Sequence, residues 1–196
     1  LTATMRRDGT SRFSKNNRWG TFPSVALGWR ITEEEFLKDN AVLSNLKLRA
    51  SYGITGQQDG IGNYSYLPVY TYSQDGAEYL FGDTYYHTYR PEAYVSNRKW
   101  ETTTSWNFGL DFGFLDNRIS GSVDFYTRQT KDLLATVASP AGTNFDKTIL
   151  TNVGNVDSKG VELTLNATPI DTKDFTWDVS FNATWLKNTV QNLSLI

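Results

Sequence analysis

The sequence lacks several features on which common classes of protein depend. It contains no cysteine, which excludes a disulfide framework and a thiolate metal site. It contains a single histidine, His87, which argues against a Ser-His-Asp triad or a multi-histidine metal site. The formal net charge of −2 is close to neutral, so the overall charge favours neither nucleic acid nor anionic lipid as a partner.

Long hydrophobic runs are also missing. No segment approaches the run of about 18 apolar residues that a transmembrane helix requires. This does not exclude a membrane location, because the strands of a transmembrane barrel carry only a weaker, alternating signal. The first residues, LTATMRRDG, show no signal-peptide pattern, and the last residues show no obvious stop. We therefore expect the sequence to be part of a longer one.

The clearest pattern in the chain lies in residues 105–128. From Trp106 to Phe114 every second residue is large and apolar, and the residues between them are small or polar. After a tight turn at Asp116-Asn117, the alternation resumes from Ile119 to Phe125. The pattern predicts two antiparallel strands of about ten residues, which is long for a soluble protein and suits a membrane-spanning strand.

Similar alternation predicts about seven long strands and an all-β fold. The other predicted strands cover residues 1–5, 19–31, 46–54, 161–167 and 175–185. Pro23 is an irregularity, tolerable at a bulge or near an edge. One short helix is predicted at residues 32–38, where Thr32 and Glu35 form a capping box and Ile31 and Phe36 a hydrophobic staple.

The predicted connections alternate in length. Those at residues 116–117 and 170–174 are tight and the one at residues 32–44 is of modest length, whereas residues 6–18, 56–98 and 130–157 form mostly longer loops. Short turns on one rim and long loops on the other are typical of outer-membrane barrels. Tryptophans bracket two strands, as expected at membrane interfaces: Trp19 with Trp29, and Trp177 with Trp185.

This pattern allows both faces of the sheet to be assigned. The aromatic face is predicted to meet lipid and the polar face a wet lumen, to which we assign Lys47, Arg49, Asp111, Asp124 and Glu162. A soluble β-sandwich or jelly roll remains the alternative, because its strands alternate in the same way. About seven strands cannot close a barrel wide enough for such loops, so the barrel hypothesis requires further strands.

Several runs resemble the barrel of SusC/RagA-type TonB-dependent outer-membrane transporters of Bacteroidetes. They are RDGTSRF at 7–13, NRWGTFPS at 17–24, LKLRASYGITGQQ at 46–58 and WETT at 100–103. Further matches are DFY at 124–126 followed by KDLL at 131–134, NVG at 152–154 and KGVEL at 159–163. The similarity runs from end to end with the motifs in order and covers only the later part of the barrel.

The resemblance implies a 22-stranded barrel around an N-terminal plug, in the outer membrane of a Gram-negative bacterium. It implies import of glycans or peptides driven through TonB, together with a SusD-like surface lipoprotein. Residues 1–196 would then be a partial barrel domain, without the plug and the remaining strands, and would supply wall and extracellular loops. By class, the alternatives are a soluble or surface carbohydrate-binding β-sandwich and, more weakly, a passive porin.

Tyrosines in the longest loop are the candidate contact residues for a ligand or the lipoprotein. Tyrosine suits both roles because it combines a flat apolar ring with a hydroxyl group. The same residues could instead pack the loop against itself or sit at the membrane interface. The candidates are Tyr64, Tyr66, Tyr70, Tyr72, Tyr79, Tyr85, Tyr86 and Tyr89.

Acidic residues carry no predicted catalytic or metal site. Asp59, Asp75, Glu78 and Asp83 could offer oxygen ligands to calcium, but their spacing matches no EF-hand loop. Paired carboxylates could act as acid and base, yet nothing in the sequence brings those of the lumenal face together. The sequence thus predicts neither an enzyme nor a cofactor, and it leaves the substrate and the oligomeric state open.

Overall fold

The computed structural model describes residues 1–38, 40–73, 76–140, 142 and 146–193. Its regular structure there is β, apart from one 3-10 helix at Ile31–Glu33. The strands are β1 Thr2–Gly9, β2 Trp19–Arg30, β3 Leu43–Gln57, β4 Tyr70–Tyr72, β5 Glu78–Phe81, β6 Thr84–His87, β7 Tyr89–Pro91, β8 Glu101–Phe114, β9 Ile119–Lys131, β10 Leu134–Ala138, β11 Thr148–Asn152, β12 Asn155–Asp171 and β13 Thr176–Asn192. The all-β prediction is confirmed.

Seven long strands form one antiparallel sheet in the order β1-β2-β3-β8-β9-β12-β13. Neighbours in the sheet follow each other along the chain once the short loop strands are set aside. The short strands pair as β4 with β7, β5 with β6, and β10 with β11, all within the connections. The sheet is therefore an up-and-down meander, as the alternating sequence predicts.

Several strands extend further than the alternation indicates. Residues 6–9, predicted as loop, belong to β1, where Asp8 and Gly9 pair with Gly20 and Trp19. The turn predicted at Asp8-Gly9 is therefore wrong, because pairing with β2 outweighs the local turn preference of these two residues. The connection predicted at 130–157 is shortened in the same way, since β9 runs to Lys131 and β12 begins at Asn155.

The predicted helix at 32–38 does not form as expected. A 3-10 helix spans Ile31–Glu33, and no side chain caps its start, so the proposed capping box is absent. Phe36, the proposed staple residue, is exposed. Seven residues are too few to form a stable helix by themselves. Instead, the Trp29 indole N–H donates to Glu34 Oε1 at 2.8 Å, and Asn40 Oδ1 accepts from the backbone of Val42 and Leu43.

The two rims of the sheet differ in the predicted way, except that the connection at 31–42 is longer than that at 10–18. On the short-turn rim the connections are residues 31–42, 115–118 and 172–175, and on the long-loop rim they are residues 10–18, 58–100 and 132–154. The turn between β8 and β9 is joined to its neighbours, because Leu115 N donates to Val42 O in the adjacent connection and Thr168 N of β12 donates to Arg118 O, each at 2.8 Å. At the turn between β8 and β9, Asn117 has a positive φ of 64°, which asparagine tolerates well.

One face of the sheet is apolar and uncovered. A continuous row of paired residues crosses six strands on this face: Leu27, Ala50, Phe108, Phe125, Val161 and Trp185. Phe108 is 50% exposed and Trp185 is 55% exposed. A β-sandwich would bury such a row against a second sheet. The soluble sandwich is therefore not favoured.

Candidate functional site

The apolar face ends in a boundary that runs diagonally across the sheet. On β2 the apolar residue nearest the long-loop rim is Trp19, on β8 it is Trp106, and on β13 it is Trp185. The row of paired residues that contains Trp185 meets β2 at Leu27, which lies much closer to the short-turn rim than Trp19 does. A flat membrane boundary crosses the strands of a barrel in this way, because the strands are tilted.

The height of the apolar band suits a bilayer. From Trp19 to Trp29 the strand rises about 33 Å, which a tilt of about 40° reduces to about 25 Å across the membrane. Trp19, Trp29, Trp177 and Trp185 are all exposed, as predicted for interface residues. Near the long-loop rim, the guanidinium of Arg7 lies 5.1 Å from the ring centre of Trp19.

The polar face carries an ion triad centred on Arg49. Arg49 Nη2 donates to Asp111 Oδ1 at 2.7 Å and to Asp124 Oδ2 at 3.0 Å, and Nε also contacts Asp111. Gly109 lies between these groups, and a Cβ there would come within 2.5 Å of Asp124 Oδ1. The structure thus brings together two carboxylates that the sequence could not place together. The shared arginine makes them an ion-paired part of the wall, with no catalytic arrangement.

The other predicted lumenal residues lie on the same face. Glu162 is directly opposite Asp124, and Lys47 is directly opposite Asp111. The lumenal assignment of Lys47, Arg49, Asp111, Asp124 and Glu162 is therefore consistent with the register. A water-filled barrel interior tolerates exposed charged side chains, whereas the lipid face does not.

A small buried cluster, here called the loop-base cluster, ties the long loops to the sheet. It consists of Phe13, Phe22, Ile61 and Trp100. The ring centres of Phe13 and Phe22 each lie 5.3 Å from that of Trp100. The ring of Phe22 lies over the backbone of Gly20 and Gly56, where a Cβ would collide with it. In the sequence Phe22 is only an interruption of the polar face. In the structure this interruption is explained, because Phe22 is part of the loop-base cluster.

Arg98 extends this cluster to a third loop. It is 5% exposed, its Nε donates to Leu150 O at 2.9 Å, and its Nη1 donates to Ser65 Oγ. Burial lowers the pKa of the Arg98 guanidinium below its ordinary value. Asn17 Nδ2 donates to the Arg98 carbonyl at 3.1 Å, so three loops meet at this residue. Sequence reasoning missed Arg98, because nothing in its neighbourhood distinguishes it from a solvated loop arginine.

Six of the candidate tyrosines lie on a paired extension of the longest loop, here called the tyrosine arm (residues 70–91, excluding 74 and 75). Tyr79 pairs with Tyr86 at its outer end, and Tyr72 pairs with Tyr89 at its base. The last two rings stack with centres 4.8 Å apart. A hydrogen bond with Tyr72 raises the pKa of Tyr89. The arm exposes Tyr70, Tyr72, Tyr79, Tyr85, Tyr86 and Tyr89.

The two remaining candidates are separate from the arm. Tyr64 lies in a turn before it, with a positive φ of 56° and its N–H donating to Ser11 O at 3.3 Å. Tyr66 follows in the same turn and is half-buried. The structure thus gathers six of the tyrosines on one exposed element and leaves these two near the loop base.

The loop acids do not form a metal site in the described part of the chain. Among those residues, no three His, Cys, Asp or Glu side chains lie close enough together to hold an ion. Asp59 is 3.8 Å from Arg12, and Glu78 is 3.4 Å from His87. Asp75 lies outside the described residues, so its assignment stays a prediction. No helix in the described ranges is both long and apolar enough to span a bilayer.

Long strands, an uncovered apolar band, a charged opposite face and loops concentrated on one rim define the wall of a transmembrane β-barrel. The family model for the TonB-dependent receptor-like β-barrel matches residues 1–194. The chain therefore belongs to the TonB-dependent receptor family, whose barrels lie in the outer membrane.

Individual relatives agree with this assignment. The chain is 58% identical over 194 residues to the TonB-dependent receptor SusC of Bacteroides thetaiotaomicron, covering 99% of the chain and 19% of SusC. It is 38% identical over 198 residues to the TonB-dependent receptor P39 of Formosa agariphila, covering 99% of the chain and 18% of P39. The resemblance to SusC/RagA-type barrels is confirmed, and these relatives are receptors rather than enzymes.

Solved structures give the same result. A chain of the RagAB peptide importer in its closed-closed state superposes with a TM-score of 0.85 at 32% identity, covering 98% of this chain and 20% of the importer chain. The open-open state of the same importer gives a TM-score of 0.83. The chain thus spans about a fifth of the length of the relatives that it matches.

Proposed function

We propose that this chain forms part of the wall and the extracellular loops of a TonB-dependent importer of glycans or peptides. The observation that carries the proposal is the 58% identity to SusC over 194 residues. The structural similarity to a peptide importer, RagAB, supports the same transport role. On this proposal residues 1–196 are one part of a barrel domain, and a plug, the TonB-contacting segment and further strands belong to the rest of the protein.

The proposal includes a SusD-like lipoprotein as partner and the tyrosine arm as a contact surface for that partner or for the ligand. In barrels of this kind the long loops face the outside of the cell, so the arm lies where both would arrive. Exposed tyrosines add flat apolar area at low entropy cost, which favours binding to sugar rings and to protein. The separate turn with Tyr64 and Tyr66 is a secondary candidate.

The test is detergent extraction of the tagged full-length protein from its native outer membrane, with mass spectrometry of the co-purified proteins. We expect recovery only with detergent and a lipoprotein in comparable amount. The Tyr79→Ala/Tyr86→Ala variant should reduce the recovered partner or the uptake of ligand by about tenfold, equivalent to about 1.4 kcal/mol. Phe36→Ala is the control, because Phe36 is an exposed aromatic on the opposite rim.

Each possible result bears on a different part of the proposal. Recovery from the aqueous fraction without a partner would contradict the importer and favour a soluble binding module. The double variant could instead be recovered from the membrane with the wild-type amount of partner and the wild-type level of uptake. That result would support the importer and contradict the role of the tyrosine arm.

A further inference from the structure

A cluster of lysines on the lipid-facing side of the sheet is not explained by transport. Lys159 on β12 and Lys187 on β13 follow the outward alternation of Val161 and Trp185, two residues closer to the long-loop rim. Lys131 on β9 also lies on this face. The side chains of Lys159 and Lys187 leave the apolar band at its boundary with the long-loop rim, which places them at the level of the outer-leaflet head groups. Lys131 pairs with Asn155 and therefore lies four residues further toward the long-loop rim.

The register between β12 and β13 brings two lysines together, which is unfavourable unless an anion binds between them. Lys159 is paired directly opposite Lys187, and like charges in directly opposite positions destabilise a sheet. Both lysines are exposed, and neither has a carboxylate within ion-pair distance among the described residues. An anion bound between them would remove the repulsion.

Among the described residues, the one carboxylate on this part of the face is Asp157, and it is already hydrogen-bonded. Asp157 accepts hydrogen bonds from Gln191 Nε2 at 2.8 Å and from Gln129 Nε2 at 3.3 Å. The titratable groups on this face at the patch are thus Lys159, Lys187 and Asp157, with Lys131 four residues further toward the long-loop rim. They sum to a local positive charge within a chain whose net charge is −2. The overall charge hides this local excess.

The surface around the lysines has the form of a shallow groove. It has a volume of about 380 Å³ and is lined by polar side chains including Thr127, Gln129 and Thr189, with Trp106 in the same paired row as Lys159. Hydroxyl and amide groups can share hydrogen bonds with the oxygens of an anion, and the tryptophan ring suits the boundary with acyl chains.

We propose that Lys159 and Lys187 bind the phosphate of an outer-leaflet glycolipid. Two observations favour a lipid over a protein partner. The groove continues directly from the lipid-facing band, and the tyrosine arm and the ion triad belong to other surfaces. Lysine binds phosphate as a compact point charge, and clusters of lysine at a membrane surface recognise anionic head groups. The inference depends on the membrane placement of the wall and not on which ligand is imported.

The test uses the full-length protein in detergent, titrated with diphosphoryl lipid A and followed by native mass spectrometry. We expect Lys159→Gln/Lys187→Gln to weaken binding by about 25-fold, since each lysine near such a surface contributes about fivefold. Lys159→Arg/Lys187→Arg should retain binding because it keeps both charges. The matched control is Lys15→Gln/Lys173→Gln, which makes the same change in net charge at exposed positions elsewhere.

The proposal makes a second demand on the lipid. Removal of its phosphates should abolish the difference between the wild-type protein and the double glutamine variant. Equal binding of lipid A by both proteins, or an equal loss in the Lys15/Lys173 control, would overturn the proposal. So would undiminished binding of the dephosphorylated lipid by the wild-type protein.

Discussion

At the scale of single residues, glycines beneath aromatic rings shape the polar face. Gly160 on β12 lies directly opposite Tyr126 on β9, and the tyrosine ring covers it and is buried. A Cβ at Gly160 would lie 2.6 Å from Tyr126 Cζ and 2.7 Å from the Trp185 carbonyl oxygen. Because the second contact is with backbone, a side-chain movement alone would not relieve it.

We therefore predict that Gly160→Ala lowers the free energy of unfolding of the full-length barrel by about 1–3 kcal/mol, the usual cost of overpacking. Urea titration in detergent measures this change. Gly28→Ala is the matched control, because the nearest heavy atom to its added Cβ would be Lys47 Cε at 3.4 Å. Equal stability of the two variants would contradict the packing argument.

At the scale of elements, the long loops are joined to each other before they extend from the sheet. Arg98 links the loop of residues 58–100 to the carbonyl of Leu150, and Asn152 links it again by donating from Nδ2 to Lys99 O at 3.0 Å. Lys99 Nζ also lies 2.9 Å from Asp132 Oδ1. The loop bases are thus a connected layer, and the tyrosine arm is the part that projects from it.

Arg98→Ala is expected to loosen this layer without unfolding the wall. The change leaves the Leu150 carbonyl without its charged donor, so the free energy of local opening should fall by about 1–3 kcal/mol. Hydrogen exchange of the full-length protein should show faster exchange at residues 62–68 and 146–152 and unchanged exchange in β8 and β9.

The comparison variant for this experiment is Arg90→Ala, an exposed arginine on the tyrosine arm. It should leave exchange at both loop bases unchanged. If Arg98→Ala behaved like Arg90→Ala, the loop bases would be held without the Arg98 side chain, by the aromatic cluster and the contacts of Asn152 and Lys99.

At the scale of the whole molecule, the two faces of the sheet meet different solvents. Val123 lies near the middle of the apolar band on β9, and its neighbour Ser122 lies on the lumenal face. A charge near the midplane of the lipid face of a barrel costs about 2–4 kcal/mol, whereas a water-filled lumen tolerates it. Adjacent positions in one strand therefore differ in what they tolerate.

Val123→Arg should reduce the amount of folded full-length protein in the outer membrane, and Ser122→Arg should not. The amount is measured by detergent extraction and the heat-dependent shift in gel mobility that folded barrels show. Loss only in Ser122→Arg would mean that the faces are assigned the wrong way round, and equal loss in both variants would contradict the predicted difference between the faces.

The sequence by itself determined the elements and the faces of this protein. Strict alternation in β8 and β9 identifies strands and their apolar side, since side chains of a strand alternate between faces. The difference between the rims follows from the same pattern, because the loops are what lies between alternating segments. The seven predicted strands are those of the sheet. The limits of prediction from the sequence are seen at Asp8-Gly9 and at Thr32, where local signals predicted a turn and a helix cap that the structure does not contain.

Only the tertiary structure decided which distant residues meet. The Arg49 triad, Arg98 beneath three loops and the opposed pair Lys159 and Lys187 each depend on the register between strands. A shift of one residue would turn each strand's side chains to the opposite face, and nothing within a single strand reports its partner's position. The physical reason is that alternation is a local property of one strand, whereas charge pairing and loop packing arise between segments far apart in the chain.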